Sequence, residues 1–131
     1  MEKPLDNSEA TTTAAATKAT AAALAALPAC PVETTLTLIG NKWQTLILRD
    51  LLMNDKLRFK ELQRSVGGVS QKVLTSNLRA MEASGLVHRE AFAEVPPRVE
   101  YSLTDLGRSL KPVIDAMWAW GESYKAALAG K

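Results

Sequence analysis

The sequence predicts a mainly α domain with one small antiparallel β hairpin. Three observations predict it. Apolar residues recur at spacings of three and four from Val32 to Met81. The pattern then alternates cleanly at Val99, Tyr101 and Leu103. It returns to helical spacing from Leu106 to Leu128. Side chains return to the same face about every 3.6 residues in a helix and every second residue in a strand, so each switch marks a change of element.

The first helix starts at Pro31, a residue suited to the first helical position, and carries Val32, Leu36 and Ile39. Gly40 ends it, and Asn41 caps a second helix running to about Met53. Trp43, Leu46, Ile47, Asp50 and Leu51 share one face of that helix, with Asp50 the odd member, and Leu48 and Leu52 add a second apolar strip. Trp43 reads as core, or as one wall of a small pocket. A short helix follows with Phe59, Leu62 and Val66 on one side, broken by Gly67-Gly68. Ser70 caps the next helix, Gln71 to Ala83, whose inner face is Leu74, Leu78 and Met81, and Gly85 ends it. Leu86 to Glu94 and Val99 to Leu103 read as two strands joined by Val95-Pro96-Pro97-Arg98, a stiff exposed loop with an Arg at its end. Tyr101 reads as packing within this hairpin. Thr104 caps a last helix of about five turns, with Asp105 in its first turn and a kink expected at Pro112. Leu106, Leu110, Val113, Met117, Trp120 and Tyr124 line one side of it, and Ile114, Trp118 and Leu128 widen the stripe.

The chain has 131 residues, 47% hydrophobic and 23% charged, which suits one domain with a tail to spare. No apolar run reaches membrane-spanning length. One cysteine and one histidine, His88, leave no disulfide framework, no metal site and no spare parts for a catalytic triad. His88 reads as structural or solvated. No glycine-rich nucleotide loop is present. The expectation is a protein that is not an enzyme and needs no metal or cofactor.

Residues 1–29 read as a flexible Ala/Thr-rich tail, with room for a transient helix. Ala10 to Ala29 hold eleven Ala and five Thr, too little apolar surface to build a core. Glu2, Asp6 and Glu9 are wrong for a secretory or transit peptide, so the expected location is the cytoplasm, with no membrane partner. Leu27-Pro28-Ala29-Cys30 is only a faint likeness to a lipoprotein cleavage site.

The net charge of +2 is too weak to argue for nucleic acid, but its distribution says more. Between Asn41 and Arg89 stand nine basic residues against four acidic ones. The element order, three helices, a recognition-length helix, a hairpin and a long helix, is that of a winged helix-turn-helix. A helix that enters the major groove must show donors and acceptors on its outer face. Gln71, Lys72, Thr75, Ser76 and Arg79, with Ser70 at the start, meet that requirement. Lys42, Arg58, Lys60 and Arg64 are candidates for phosphate contacts, and Arg98 at the wing for the adjacent minor groove. The alternative is a winged helix that serves as a protein-interaction module without binding DNA. That alternative leaves the outward Lys72 and Arg79 idle.

Several spaced motifs go further. Cys30-Pro31-Val32, Leu38-Ile39-Gly40-Asn41-Lys42-Trp43, Ile47-Leu48-Arg49-Asp50-Leu51-Leu52, Arg58-Phe59-Lys60-Glu61-Leu62, Val69-Ser70-Gln71-Lys72-Val73-Leu74-Thr75 and Glu94-Val95-Pro96-Pro97-Arg98-Val99-Glu100-Tyr101-Ser102-Leu103-Thr104 stand in one chain. With them the sequence resembles the HxlR-type family of bacterial winged-helix transcription regulators, relatives of the MarR-like fold, over about residues 30–121. On that basis residues 30–128 are expected to be the domain. The resemblance implies a homodimer on a pseudo-palindromic double-stranded DNA operator, acting as a repressor or activator. It also implies that the first and last helices build the dimer, through Val32 and Leu36 on one and Val113, Met117, Trp118, Trp120 and Tyr124 on the other. The last helix is apolar over more area than a domain of this size can cover, which agrees.

Some members of the resembled family sense oxidants or electrophiles at the position of Cys30, so redox sensing through Cys30, or response to a small ligand, is implied in the same way. Cys30 precedes a helix start, where free N–H groups favour negative charge. With no second cysteine, it can be oxidised, alkylated or bridged to another subunit, but cannot close an internal disulfide. The bland reading is an inert cysteine acting as a small hydrophobe.

Overall fold

The computed structural model describes residues 21–130. The first twenty residues of the expected tail lie outside the described residues. The chain divides into two compact units between Thr35 and Leu36.

In the first unit, residues 21–26 are helical and Cys30 is exposed. Helix α1, Pro31–Ile39, begins where Pro31 predicts and continues into the second unit. Its first turn is closed by the Cys30 carbonyl, which accepts from the Thr34 N–H at 3.0 Å.

The second unit holds α2 (Lys42–Met53), β1 (Leu57–Arg58), α3 (Phe59–Val66), α4 (Gln71–Ala83), β2 (Val87–Phe92), β3 (Arg98–Leu103), α5 (Asp105–Arg108) and α6 (Lys111–Ala129). The caps read from the sequence are in place. Asn41 Oδ1 accepts from the Gln44 N–H at 2.8 Å, Ser70 Oγ from Val73 at 3.1 Å, and Thr104 Oγ1 from Gly107 at 3.0 Å. Each satisfies a backbone donor that the first turn of a helix leaves without an internal partner.

The core is one cluster. Helix α2 contributes Ile47, Leu48 and Leu51, and α3 contributes Leu62 and Val66. Leu74, Leu78 and Met81 come from α4, and Leu86, Val87, Tyr101, Leu103 and Ile114 close it. Trp43 packs against this core. The turn between α3 and α4 needs left-handed backbone, and Gly67 (φ 80°) and Gly68 (φ 77°) supply it. Gly107 answers a different need: a Cβ there would lie 2.2 Å from the Leu86 carbonyl oxygen.

Three expectations are corrected. The sheet has three strands in the order β1-β3-β2, all antiparallel, because Leu57 and Arg58 pair with Tyr101 and Glu100. Two residues are too short a run to show a period. The hairpin's first strand is shorter than expected: β2 runs from Val87 to Phe92 and β3 starts at Arg98, with Val95-Pro96 in the cis form in the loop between them. The last helix is two helices, α5 and α6, with the break at Ser109-Leu110. Pro112 therefore kinks nothing. It sits in the first turn of α6, where its missing N–H costs no hydrogen bond.

Candidate nucleic-acid interface

Helix α4 is held from below and dressed from above. Its buried Leu74, Leu78 and Met81 fix its rotation, which leaves Gln71, Lys72, Ser76 and Arg79 exposed and Thr75 half-buried. Those five residues line one shallow groove. A polar clip fixes the register of α4 on α2: Asn41 Nδ2 donates to Asn77 Oδ1 at 3.0 Å, and Asn77 Nδ2 donates to the Val73 carbonyl at 2.8 Å. Ser70, counted with the outer face, spends its acceptor on capping and keeps its hydroxyl hydrogen available.

A second depression gathers Arg58 at the cap of α3, Lys60 in its first turn and Arg64 in its last with Pro97 and Arg98 from the hairpin. Lys42 stands apart at the start of α2, its ammonium 4.8 Å from the centroid of the Trp43 ring.

Ion pairing sorts the cations. Among the described residues, Arg49, Lys56, Arg98, Arg108 and Lys111 have carboxylate partners. Lys42, Arg58, Lys60, Arg64, Lys72, Arg79 and Arg89 have none within 4.0 Å. The cations left without internal partners include all of those assigned to nucleic acid from the sequence except Arg98. A protein that neutralises phosphates needs unpaired cations.

Arg98 departs from the expectation of a free arginine at the wing tip. It opens β3 rather than ending a loop. Its guanidinium lies 4.0 Å over the Phe92 ring, 3.0 Å from a Glu94 carboxylate oxygen and 3.6 Å from one of Glu100. Its Nε is buried without a partner. Glu94 and Glu100 are close enough in sequence to have warned of this, since both flank the hairpin that brings them round.

Arg89 is the residue that sequence reasoning passed over. In the sequence it stands only as one of the nine basic residues between Asn41 and Arg89. On β2, paired with Tyr101 on β3, it is exposed and lines a groove between α4 and the sheet together with Gln71, Thr75 and Arg79. Alternation along β2 puts Arg89 on the same face as the buried Val87, the face turned to α4, and shows this only once the strand's start is known.

The other exposed face is apolar. On α6, Ile114 is buried, while Val113, Met117, Trp118, Trp120 and Tyr124 are exposed, Trp120 by 68%. Trp120 and Tyr124 stack at 5.3 Å between ring centroids. On α1, Val32 and Leu36 are likewise exposed.

No group of His, Cys, Asp and Glu that could hold a metal occurs among the described residues, and no described helix is long and apolar enough to cross a membrane. With this geometry in view, comparison with known proteins is decisive. The model of the HxlR-like helix-turn-helix family matches residues 38–128. The chain belongs to that family. It is 50% identical over 96 residues to YdeP of Bacillus subtilis (strain 168), named as an uncharacterized HTH-type transcriptional regulator; the match spans 73% of this chain and 74% of YdeP. Among solved structures, the redox regulator HypR in its reduced form is similar with a TM-score of 0.71 and 44% identity, covering 78% of this chain and all of that one. HypR in its oxidised form gives 0.67 and 48%, covering 72% and 96%. Family and relatives are transcriptional regulators rather than enzymes, and the HxlR-like fold is the winged helix-turn-helix read from the sequence. In these terms α3 and α4 are the helix-turn-helix pair and β2–β3 the wing.

Proposed function

We propose that this HxlR-like regulator is a homodimer that binds a two-fold symmetric operator in double-stranded DNA through α4. The observation that carries this reading is the groove of Gln71, Lys72, Thr75, Ser76 and Arg79, whose cations have no internal partners. Arg79 and Gln71 have the donor geometry to read purine edges in the major groove. Lys42, Arg58, Lys60 and Arg64 serve phosphates, with Ser70 donating to one beside the helix start. Arg89 joins them from the wing. Arg98 reaches DNA only by leaving Glu94 and Glu100, so its main work is to hold the wing in shape.

The dimer forms through α6, with Val113, Met117, Trp118, Trp120 and Tyr124 facing a second copy, and through Val32 and Leu36 of α1. An exposed run of that size and aromatic content is typical of an interface core. Two-fold pairing sets two copies of α4 about one turn of DNA apart. Such a regulator works where the chromosome is, in the bacterial cytoplasm.

Cys30 is the proposed point of redox control. Its support is its exposure at the start of α1 and the similarity to HypR, named as a redox regulator. The test is selection of bound DNA from a random pool, with and without a mild oxidant. A symmetric enriched site that is lost on oxidation, but retained in Cys30→Ser, is the expected result. An enriched site indifferent to oxidant removes the sensor and keeps the regulator. No enriched site at low salt overturns DNA binding and favours a protein-interaction module.

A further inference from the structure

One buried charge has no part in the interface described above. Asp50, on α2, is 3% exposed and is the only buried charged residue among those described. It stands where helical spacing calls for an apolar residue, on the side of α2 that carries the fully buried Ile47 and Leu51. A charge there costs desolvation that an apolar side chain would avoid, so it asks for a task beyond burial.

Arg49 Nε meets Asp50 Oδ1 at 2.6 Å. Arg49 is the preceding residue of the same helix, so this pair neutralises the charge and fixes nothing between helices. The second oxygen does. Ser65 Oγ, on α3, donates to Asp50 Oδ2 at 2.8 Å. Ile47 and Leu51 of α2 and Leu62 and Val66 of α3 belong to the same core. Apolar contact is non-directional and tolerates a slip of one helix along another; a hydrogen bond does not.

Two further contacts pass the position of α3 on to α4. Gln63 Nε2 donates to the Val69 carbonyl at 3.1 Å, across the Gly67-Gly68 turn. Asn77 of α4 accepts from Asn41, at the start of α2, at 3.0 Å. The helix-turn-helix is therefore fastened to α2 at two points, Asn41 for α4 and Asp50 for α3. At 1.5 Å per residue those points are about 14 Å apart. Ser65 follows Arg64 on α3, and Lys60 lies near its start; neither cation has a carboxylate within 4.0 Å. A turn of α3 moves both relative to Gln71 and Arg79.

We infer that Asp50 and Ser65 are positioning residues for DNA recognition. Their hydrogen bond fixes the angle of α3 on α2, so that the cations of α3 and the outer face of α4 meet one duplex together. That role rests on the DNA-binding reading above; the tie between the two helices does not.

The test uses the full chain. Ser65→Ala removes the tie and leaves the Arg49 pair in place; Ser65 is exposed and alanine is the better helix former, so the variant folds. Ser65→Thr keeps the hydroxyl. The readout is the ratio of operator affinity to random-DNA affinity at one salt concentration. In Ser65→Ala this ratio should fall about tenfold, the worth of one hydrogen bond to a charged group, with affinity for random DNA unchanged. Ser65→Thr should restore it. A loss of stability alone lowers both affinities together and leaves the ratio where it was. Residual dipolar couplings of the free protein should show α3 turned relative to α2 in Ser65→Ala and not in Ser65→Thr. A ratio that does not fall, a fall that Ser65→Thr does not repair, or unchanged couplings in Ser65→Ala each overturn the positioning role. If the parent selects no operator, the DNA-binding reading fails and the positioning role with it, whereas the couplings still show or refute the tie between α2 and α3.

Discussion

Helices α4 and α6 both turn one side to solvent, and those two sides are opposites. The outer side of α4 carries amides, hydroxyls and cations without carboxylate partners. The outer side of α6 carries Met117, Trp118, Trp120 and Tyr124, all exposed. Each is unfavourable to leave as it stands. Exposed aromatic surface is poorly hydrated, and clustered cations repel. The remedy differs in kind: α4 calls for a polyanion, and α6 calls for apolar surface of the same chain. In the proposed regulator, α4 binds DNA and α6 sets the number of copies that bind it.

The comparison breaks most violently at α6. Trp120→Glu places a charge in the proposed seam and removes the stack on Tyr124. Sedimentation should show a folded monomer where the parent is a dimer. Operator affinity should fall by about 10² or more, because two linked half-sites gain an effective concentration that single ones lack. A variant that still sediments as a dimer would place the seam elsewhere.

The next effect lies on α4. Arg79→Ala should weaken operator binding by about 1–3 kcal/mol and relax preference at one position, while sedimentation stays that of a dimer. If affinity for random DNA falls by the same factor as for the operator, Arg79 is a phosphate contact and not a base reader.

Lys60→Ala sharpens the division within the cationic set. A phosphate contact carries no sequence information, so binding should fall uniformly across sequences, and the slope of log affinity against log salt should drop by about 0.9. Arg89→Ala should behave in the same way. A salt slope untouched by both substitutions would confine the DNA contact to α4.

Much of the division between faces was legible in the residues. Helical spacing separated Leu74, Leu78 and Met81 from the five polar residues that share one groove, and the caps at Asn41, Ser70 and Thr104 were read as the structure has them. What escaped was whatever depends on a distant partner. Leu57-Arg58 is a strand only because β3 lies beside it. Asp50 looked out of place on an apolar face because its answer, Ser65, is fifteen residues away. Pro112 read as a kink because nothing local announced the break at Ser109-Leu110. Its fixed φ suits the first turn of a helix as well as it disrupts a later one.

Arg98 is the smallest expected effect on DNA and the most instructive, because sequence and structure disagree on its task. Read along the chain, Val95-Pro96-Pro97-Arg98 offers a cation at a loop end. In the fold that cation is shared between Glu94 and Glu100 and lies over Phe92, with Lys56 also reaching Glu100 at 3.9 Å. Its side chain is 26% exposed. Arg98→Ala therefore removes packing and leaves the Glu94 and Glu100 carboxylates without that partner at the loop end of the wing. The main loss should be in stability, about 1–2 kcal/mol by denaturant unfolding, from lost stacking and uncompensated charge. Arg98→Lys keeps the charge but not the planar stack, so it should recover only part of that loss. Operator affinity should fall less than in Arg79→Ala, and the salt slope should barely move. A slope reduced as far as in Lys60→Ala, with stability intact, would instead mean that Arg98 leaves its carboxylates for DNA and joins Arg89 as a second contact from the wing.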